Sequence, residues 1–222
     1  MRRKNSRNVR RLTGISLLLA LAIALGFLAN YVQFGPFSIT LSLIPIVVSS
    51  ILYGPIAGLV TGLCVGAVTV IAPATLSMIT ALQSVSSLPG YVVVLETILV
   101  CLVKMGLAGL VPGLVFKALG KKHFNIGVIL SSLLAPICNT GLFAFFMSTM
   151  MRNDLNAAFN ASGANFAYFL FVGMIGVNFL VEFAINAAIA PALIYVCKYA
   201  FKNVNLGTDV LGKKDDDMKV QA

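Results

Sequence analysis

The most informative polar residues lie in the last long apolar run of the sequence, VNFLVEFAINAAIAPALIYV, which extends from Val177 to Val196. Asn178, Glu182 and Asn186 recur there at intervals of four. A helix places them on one face, because every fourth residue returns to within about 40° of the same direction. An apolar environment resists an unpaired carboxylate. The stripe therefore indicates either pairing between helices or a site for a polar ligand.

Polar side chains in two other apolar runs are placed to meet this stripe. Glu96 and Lys104 lie in the fourth run, and Lys104 is about 12 Å deeper along the helix axis. Asn139 and Thr140 lie near the middle of the fifth run, in the stretch PICNTGLF. If the runs are neighbouring helices, these side chains converge with the stripe on one cavity.

Two interpretations of these residues are open at this point. In the structural one, Lys104 and Glu182 form a buried pair, and the asparagines join helices through hydrogen bonds. In the functional one, Lys104, Glu182 and the amide and hydroxyl groups near them line a ligand pocket, since ionisable residues inside a membrane are functional candidates by default. Glu96 is the weakest candidate, because it lies nearer the interface between membrane and water, where its carboxylate can reach water.

The composition indicates the surroundings in which these residues act. Of 222 residues, 59% are hydrophobic and 10% are charged, and the mean hydropathy is +0.97. Soluble domains carry about 25% charged residues. Six of the 16 lysines and arginines fall within the first 11 positions. The chain is therefore predicted to be an all-α, multi-pass membrane protein.

Apolar runs predict six transmembrane helices, because a straight span needs about 20 residues. The second run is short and contains Pro45, which favours a tilted, broken or partial span. The turn Tyr53–Pro55 leaves almost no loop, so the second and third runs should form a tight hairpin. The runs are 12–29, 39–52, 55–71, 91–117, 125–150 and 167–200.

Lysine and arginine predict the orientation. Basic clusters at the N-terminus, after the fourth run and at the end of the sixth fall on one side if the chain crosses six times. The positive-inside rule makes that side cytoplasmic. The predicted organisation is a basic cytoplasmic N-terminus (1–11), a six-helix membrane domain (12–202) and a disordered cytoplasmic tail (203–222).

Three segments then fall on the outer side. They are 30–38, 72–90 and 152–166, and we expect them to be loops, either ordinary connections or a lid over a pocket. The first, NYVQFGPFS, is aromatic and rich in turn residues. Its Tyr31, Gln33 and Phe34 are further candidate ligand contacts.

Motifs for several other functions are missing from the sequence. It contains no phosphate-binding loop, no H-E-x-x-H and no G-x-S-x-G, and its four cysteines have no metal-ligand spacing. The basic residues that give the net charge of +9 flank apolar runs. They are not accompanied by the aromatic–basic platform that nucleic-acid binding would need. We predict no enzyme activity, catalytic residue, metal, cofactor or nucleic-acid partner. Uphill transport would need an ion gradient or another subunit.

Two blocks of the sequence are typical of a known family. They are SITLSLIPIVVSSILYGPIAGLVTGLCVG, with its pattern L-x-x-I-P followed by YGP-x-x-G, and LVKMGLAGLVPGLVFKALGKK at the end of the fourth run. Together with the basic N-terminus and the six-helix layout, they resemble the substrate-binding S components of energy-coupling factor (ECF) transporters, the bacterial vitamin importers. The resemblance extends to about Lys202.

The resemblance implies a protein of the bacterial plasma membrane that captures a vitamin from outside. It implies as partners a transmembrane coupling protein and two ATPase subunits, and a toppling movement that releases the vitamin inside. An A-x-x-x-A pattern on the first helix typically contacts the coupling protein in this family, and Ala20 and Ala24 match it. Plain helix packing is the alternative for these two alanines.

The substrate is predicted less directly. Within the family, the sequence is most similar to members assigned to pantothenate, whose carboxylate suits Lys104 and whose hydroxyl and amide groups suit Asn139, Thr140, Asn178 and Glu182. Riboflavin or another vitamin is an alternative, since the aromatic residues of segment 30–38 could stack on a flavin ring.

An alternative from another functional class is a stand-alone, proton-coupled secondary transporter. Glu96, Lys104 and Glu182 would then form the proton relay. Such a carrier would transport its substrate when expressed alone, whereas an S component would bind alone but need the ATPase subunits for uptake.

Overall fold

The structure is a computed structural model, and it describes residues 2–29, 33–34, 37–38, 40–159, 168 and 175–204. Over these residues the chain is helical apart from turns and one short antiparallel hairpin that pairs Gln33 with Ser38. The predicted all-α class is confirmed. In chain order the elements are α1 (Arg2–Ala29), β1 (Gln33–Phe34), β2 (Phe37–Ser38), α2 (Leu43–Tyr53), α3 (Pro55–Val70), α4 (Pro73–Val85), α5 (Gly90–Leu119), α6 (Phe124–Thr149), α7 (Arg152–Phe159) and α8 (Val177–Val204).

Helix length decides which elements can cross a membrane. Within the described ranges, α1, α5, α6 and α8 are each long and apolar enough, and α3 and α4 pass only as a pair bent by 59°. The 11 residues of α2 span about 16 Å, roughly half of a hydrocarbon core. A multi-pass membrane protein is confirmed, with four spans in this part of the chain, or five if the bent pair is one span. Six spans stay a prediction.

A tight turn joins α2 to α3. Gly54 has φ 96°, a region that glycine adopts without steric cost, and Pro55 begins α3, where a missing N–H is tolerated. The guanidinium group of Arg11 in α1 donates a hydrogen bond to the carbonyl oxygen of Tyr53, the last residue of α2. The predicted hairpin is confirmed, and α1 is fastened to its turn.

Glycines bring α3 and α5 into backbone contact. A Cβ atom added at Gly58 would lie 2.3 Å from the carbonyl oxygen of Gly109, and one at Gly62 would lie 2.2 Å from that of Met105. No side chain fits at such a contact. We call this contact the glycine seam; its residues are Gly58, Gly62 and Gly66 of α3 and Gly106, Gly109 and Gly113 of α5.

Two segments that we predicted to be loops contain helices. Segment 72–90 forms α4, and segment 152–166 forms α7 in its described part. Leu82 of α4 and Leu155 of α7 are buried in one apolar cluster with residues of α5 and α6. Ser86 Oγ, just after α4, donates a hydrogen bond to Asp154 Oδ2 of α7 at 3.0 Å. The loop prediction was wrong there because these short segments bury apolar side chains on a partner surface that sequence spacing does not show.

The direction of the helices separates two ends of the bundle. The basic end holds the start of α1 and the ends of α2, α5 and α8; its described basic residues are Arg10, Arg11, Lys117, Lys121, Lys122, Lys198 and Lys202. The opposite end holds α4 and α7 together with the ends of α3 and α6 and the starts of α5 and α8. We call this opposite end the cavity end.

Candidate functional site

The bundle has a cavity at the cavity end. Its empty space is about 750 Å³, which includes the solvent-filled space at its open mouth. The walls come from α3, α4, α5, α6 and α8 and from the residue that precedes the turn into α2. The lining residues are Thr40, Thr69, Ala74, Thr75, Met78, Thr97, Val100, Cys101, Lys104, Asn139, Thr140, Phe143, Ile175, Asn178 and Glu182.

Five of the predicted ligand contacts line this cavity. Lys104 comes from α5, Asn139 and Thr140 come from α6, and Asn178 and Glu182 come from α8. Helical spacing within each run predicted their faces, and their depths agree because α6 runs opposite to α5 and α8. The structure therefore places together the groups that the sequence suggested for a ligand pocket.

The other four predicted contacts are not placed in the cavity. Glu96 is absent from the lining, and its Oε2 atom is buried without a hydrogen-bond partner among the described residues. Gln33 and Phe34 lie in the hairpin strands, but their side chains are outside the described part of the structure, as is all of Tyr31.

Glu182 joins three separate parts of the chain through its carboxylate. Its Oε1 atom accepts a hydrogen bond from the backbone N–H of Thr40 at 2.8 Å. Its Oε2 atom accepts longer ones from Asn139 Nδ2 at 3.4 Å and from Thr140 Oγ1 at 3.5 Å. The side chain is 4% exposed. The protein therefore supplies hydrogen-bond donors to both oxygens of this buried acid.

Lys104 has a different environment. Its Nζ atom lies 4.9 Å from the centroid of the Phe143 ring, within reach of a cation–π interaction. Among the described residues it forms no salt bridge, so it does not pair with Glu182. The pairing that the structural interpretation required is therefore wrong. A cation faces the cavity with an aromatic ring, and not a carboxylate, beside it.

The three asparagines of the sequence analysis have unequal roles. Asn139 and Asn178 line the cavity, and the Oδ1 atom of each is buried without a partner among the described residues. Asn186 is 2% exposed, lies outside the lining and donates from Nδ2 to the backbone oxygen of Glu182 at 2.8 Å. The expectation that Asn186 joins two helices is wrong, because its hydrogen bond is made within α8.

Several lining residues were missed by sequence reasoning. On α5, Thr97 and Cys101 precede Lys104 by seven and three positions, a helical spacing that could have identified them. Phe143 follows Asn139 by four positions on α6 and could have been found in the same way. Thr40 contributes a backbone N–H to Glu182, which no pattern of side chains predicts.

The first helix presents its predicted contact residues outward. Ala20 and Ala24 are exposed on α1, one helical turn apart, and exposed Leu17 and Leu21 lie beside them. The face of α1 that packs inward carries Gly14, where a Cβ atom would meet the ring of Tyr53, and fully buried Ala22. Within the described part of the chain, the two alanines are thus not used for packing.

The residues of the cavity do not form a metal site. Among the described residues, no group of three or more His, Cys, Asp or Glu side chains is placed to hold a metal ion. The cavity offers amide, hydroxyl and ammonium groups, which suit hydrogen bonding to an organic molecule.

Comparison with known proteins identifies the family. The family model described as ECF transporter, substrate-specific component, matches residues 10–194. The chain belongs to this family. Comparison with curated proteins and with solved structures found no match.

Family membership confirms the prediction from the sequence and gives the general role. The substrate-specific components of ECF transporters are subunits that bind a small substrate in the membrane and work with an ECF module; they are transport subunits, and not enzymes. The protein is accordingly a multi-pass protein of the cell membrane.

Proposed function

We propose that this S component captures a small water-soluble vitamin from outside the cell, with pantothenate as the best candidate. It delivers the vitamin through a transmembrane coupling protein and two ATPase subunits. The observation that carries the proposal is a cavity in an otherwise apolar bundle whose lining includes Lys104, Asn139, Thr140, Asn178 and Glu182. A membrane protein keeps such a set of polar groups only where they have partners or a ligand.

The orientation belongs to the same proposal. Counting the short α2 and the helix α3 as one passage each, the described chain passes between the two ends six times, so α1 begins and α8 ends at the basic end. The positive-inside rule assigns that end to the cytoplasm. The cavity end then faces outward, as capture of an external vitamin requires.

The lining supports pantothenate over riboflavin. Phe143 is the single aromatic residue among the described lining residues, and the ammonium group of Lys104 already lies over its ring. A flavin ring would therefore lack a free aromatic surface in the described lining. Pantothenate needs an anion-binding group and hydrogen-bonding groups, and Lys104, Asn139 and Asn178 supply both.

We assign contact with the coupling protein to Ala20 and Ala24. Both are exposed, and their small side chains allow another helix to approach the backbone of α1 closely. Replacing both with leucine should leave vitamin binding unchanged and abolish uptake by the assembled transporter. Loss of binding in that variant would contradict the assignment.

The proton-relay alternative receives less support. Glu96 does not line the cavity that holds Lys104 and Glu182, so the three residues do not share one described cavity. Uptake by cells that contain this protein without an ECF module, driven by a pH gradient, would overturn the proposal in favour of this alternative.

The deciding experiment measures ligand binding by the purified protein in detergent. The chain contains no Trp, so thermal stabilisation is a better readout than intrinsic fluorescence. A ligand at 100 times its Kd should stabilise the folded protein by about 2.7 kcal/mol. We expect a large shift of the melting temperature with pantothenate and little with riboflavin. No shift with any vitamin, from protein shown to be folded, would overturn the proposed function.

A further inference from the structure

The two ionisable side chains that line the cavity have separate roles, and this inference rests on the proposed function. We infer that Lys104 determines specificity by selecting a ligand with an anionic group, whereas Glu182 is a positioning residue that holds the cavity walls and does not bind the charged group of the ligand. The ligand class that follows is a small monoanion whose uncharged part carries hydroxyl or amide hydrogen-bond donors.

The contacts of Glu182 support a positioning role. A carboxylate has about four acceptor positions, and three donors already occupy this one. These donors come from the chain just before α2 and from α6, while Glu182 itself is in α8, so one side chain connects three walls. Because the protein already satisfies both carboxylate oxygens, a cationic ligand is not needed to stabilise this charge.

The surroundings of Lys104 support the opposite role. A charged group is costly inside an apolar bundle unless it is paired. Among the described residues, its Nζ atom lies 4.9 Å from the centroid of the Phe143 ring and forms no salt bridge with a carboxylate. A ring contact is worth less than a charge-assisted hydrogen bond to an anion. An anionic ligand group therefore gains the strongest interaction in the cavity at Lys104.

The buried amide oxygens indicate what the rest of the ligand carries. Asn139 Oδ1 and Asn178 Oδ1 are acceptors without a partner among the described residues, and both side chains line the cavity. Leaving a buried acceptor unpaired is unfavourable, so a ligand O–H or N–H that reaches it is favoured. The lining thus includes one ammonium group and two side chains whose buried amide oxygens lack a partner among the described residues.

The test compares pantothenate with panthenol, in which a primary alcohol replaces the carboxylate. Calorimetry in detergent gives the two dissociation constants for the wild type, Lys104→Met, Lys104→Arg and Glu182→Gln. The wild type should prefer pantothenate by about tenfold or more, the value of a hydrogen bond to a charged group. Lys104→Met should remove this preference, and Lys104→Arg should retain most of it. Glu182→Gln should weaken both ligands by the same factor and leave the preference unchanged.

Each outcome separates the inference from the proposed function. If Lys104→Met keeps the wild-type preference, or if Glu182→Gln alters it, the assignment of roles is overturned. If the wild type binds only a neutral or cationic vitamin, the inference fails and the proposed function stands. If no vitamin binds to folded protein, the proposed function fails first. Should Glu182→Gln not fold, Thr140→Val removes one donor to Glu182 and should likewise weaken both ligands equally.

Discussion

The two halves of α5 show how this bundle makes room for a ligand. The half nearer the cavity end carries Thr97, Cys101 and Lys104, which line about 750 Å³ of empty space. The half nearer the basic end carries Gly106 and Gly109, and there α3 approaches to backbone contact. The contact with α3 continues to Gly66, where a Cβ atom would lie 2.7 Å from the carbonyl oxygen of Cys101, so α5 packs against α3 while side chains of its cavity half also line empty space.

The glycine seam gives the largest expected effect. A Cβ atom at Gly109 would lie 2.0 Å from the carbonyl oxygen of Gly58, and backbone cannot move aside as a flexible side chain can. Gly109→Leu should therefore lower the free energy of unfolding by more than about 3 kcal/mol, or prevent folding. The measurement is the melting temperature in detergent, with the yield of monodisperse protein.

Gly141 of α6 is the matched control for that change. A Cβ atom there would have no neighbour within 4 Å. Gly141→Leu should keep or raise the melting temperature, since leucine in a helix is favoured over glycine by roughly 0.5–1 kcal/mol. A Gly109→Leu protein as stable as Gly141→Leu would show that the seam does not hold α3 and α5 together.

The ring beside Lys104 gives the next largest effect, this time in the cavity half. Phe143→Leu removes the face over which Nζ lies at 4.9 Å, and a cation–π contact contributes about 1 kcal/mol. We expect the affinity for pantothenate to fall about fivefold. Phe145→Leu is the control, because Phe145 is 60% exposed on the same helix and lies outside the cavity lining. Equal losses in both variants would remove Phe143 from the site.

Two asparagines allow the same comparison, between the half near the cavity and the half near the basic end, to be made in α8. Asn178→Ala removes an unpartnered acceptor from the cavity and should lower vitamin affinity by about 1 kcal/mol while leaving the melting temperature unchanged. Asn186→Ala removes a hydrogen bond within α8 and should affect stability, but not affinity. Titration and thermal unfolding of both variants distinguish these effects. The reverse pattern would mean that the ligand binds deeper than the cavity.

Part of this site could be predicted from the sequence because the membrane makes polar residues conspicuous. Asn139, Thr140, Asn178 and Glu182 stand out in apolar runs, and helical spacing fixes their faces. Lys104 was found in the same way. The depth of each residue in the membrane then follows from the direction of its helix, so three separate runs predicted one common location. The structure brings these residues together.

The remainder depends on packing that spacing does not contain. Thr40 acts through its backbone N–H, so its residue type carries no signal. The helices α4 and α7 each bury few apolar residues. Leu82 and Leu155 are buried because the two helices share one apolar cluster with residues of α5 and α6. Glu96 was the weakest candidate from the sequence, and it is absent from the cavity lining. Selecting residues by charge alone therefore includes Glu96, which does not line the cavity. Judging segments by polar composition alone misses the helices α4 and α7.

The smallest expected effect concerns the contact between α4 and α7 at the cavity end. Ser86→Ala removes the hydrogen bond to Asp154 Oδ2, which is worth about 1 kcal/mol, and also the acceptor for the backbone N–H of Leu88. Because Met78 and Thr75 of α4 line the cavity, weaker anchoring of α4 should increase its amide hydrogen exchange and speed vitamin release, with little change in melting temperature.

Ser84 provides the control for this last change. Its hydroxyl donates to the carbonyl oxygen of Ala81 within the same helix, at an exposed position. Ser84→Ala therefore makes the same chemical change without breaking a bond to α7. If hydrogen exchange in α4 rises equally in both variants, the contact between the helices does not restrain α4. If it rises in Ser86→Ala alone, the hydrogen bonds of Ser86 hold α4 over the cavity. The shape of the cavity then depends on the packing of α4 and α7 as well as on the size of the side chains of α5.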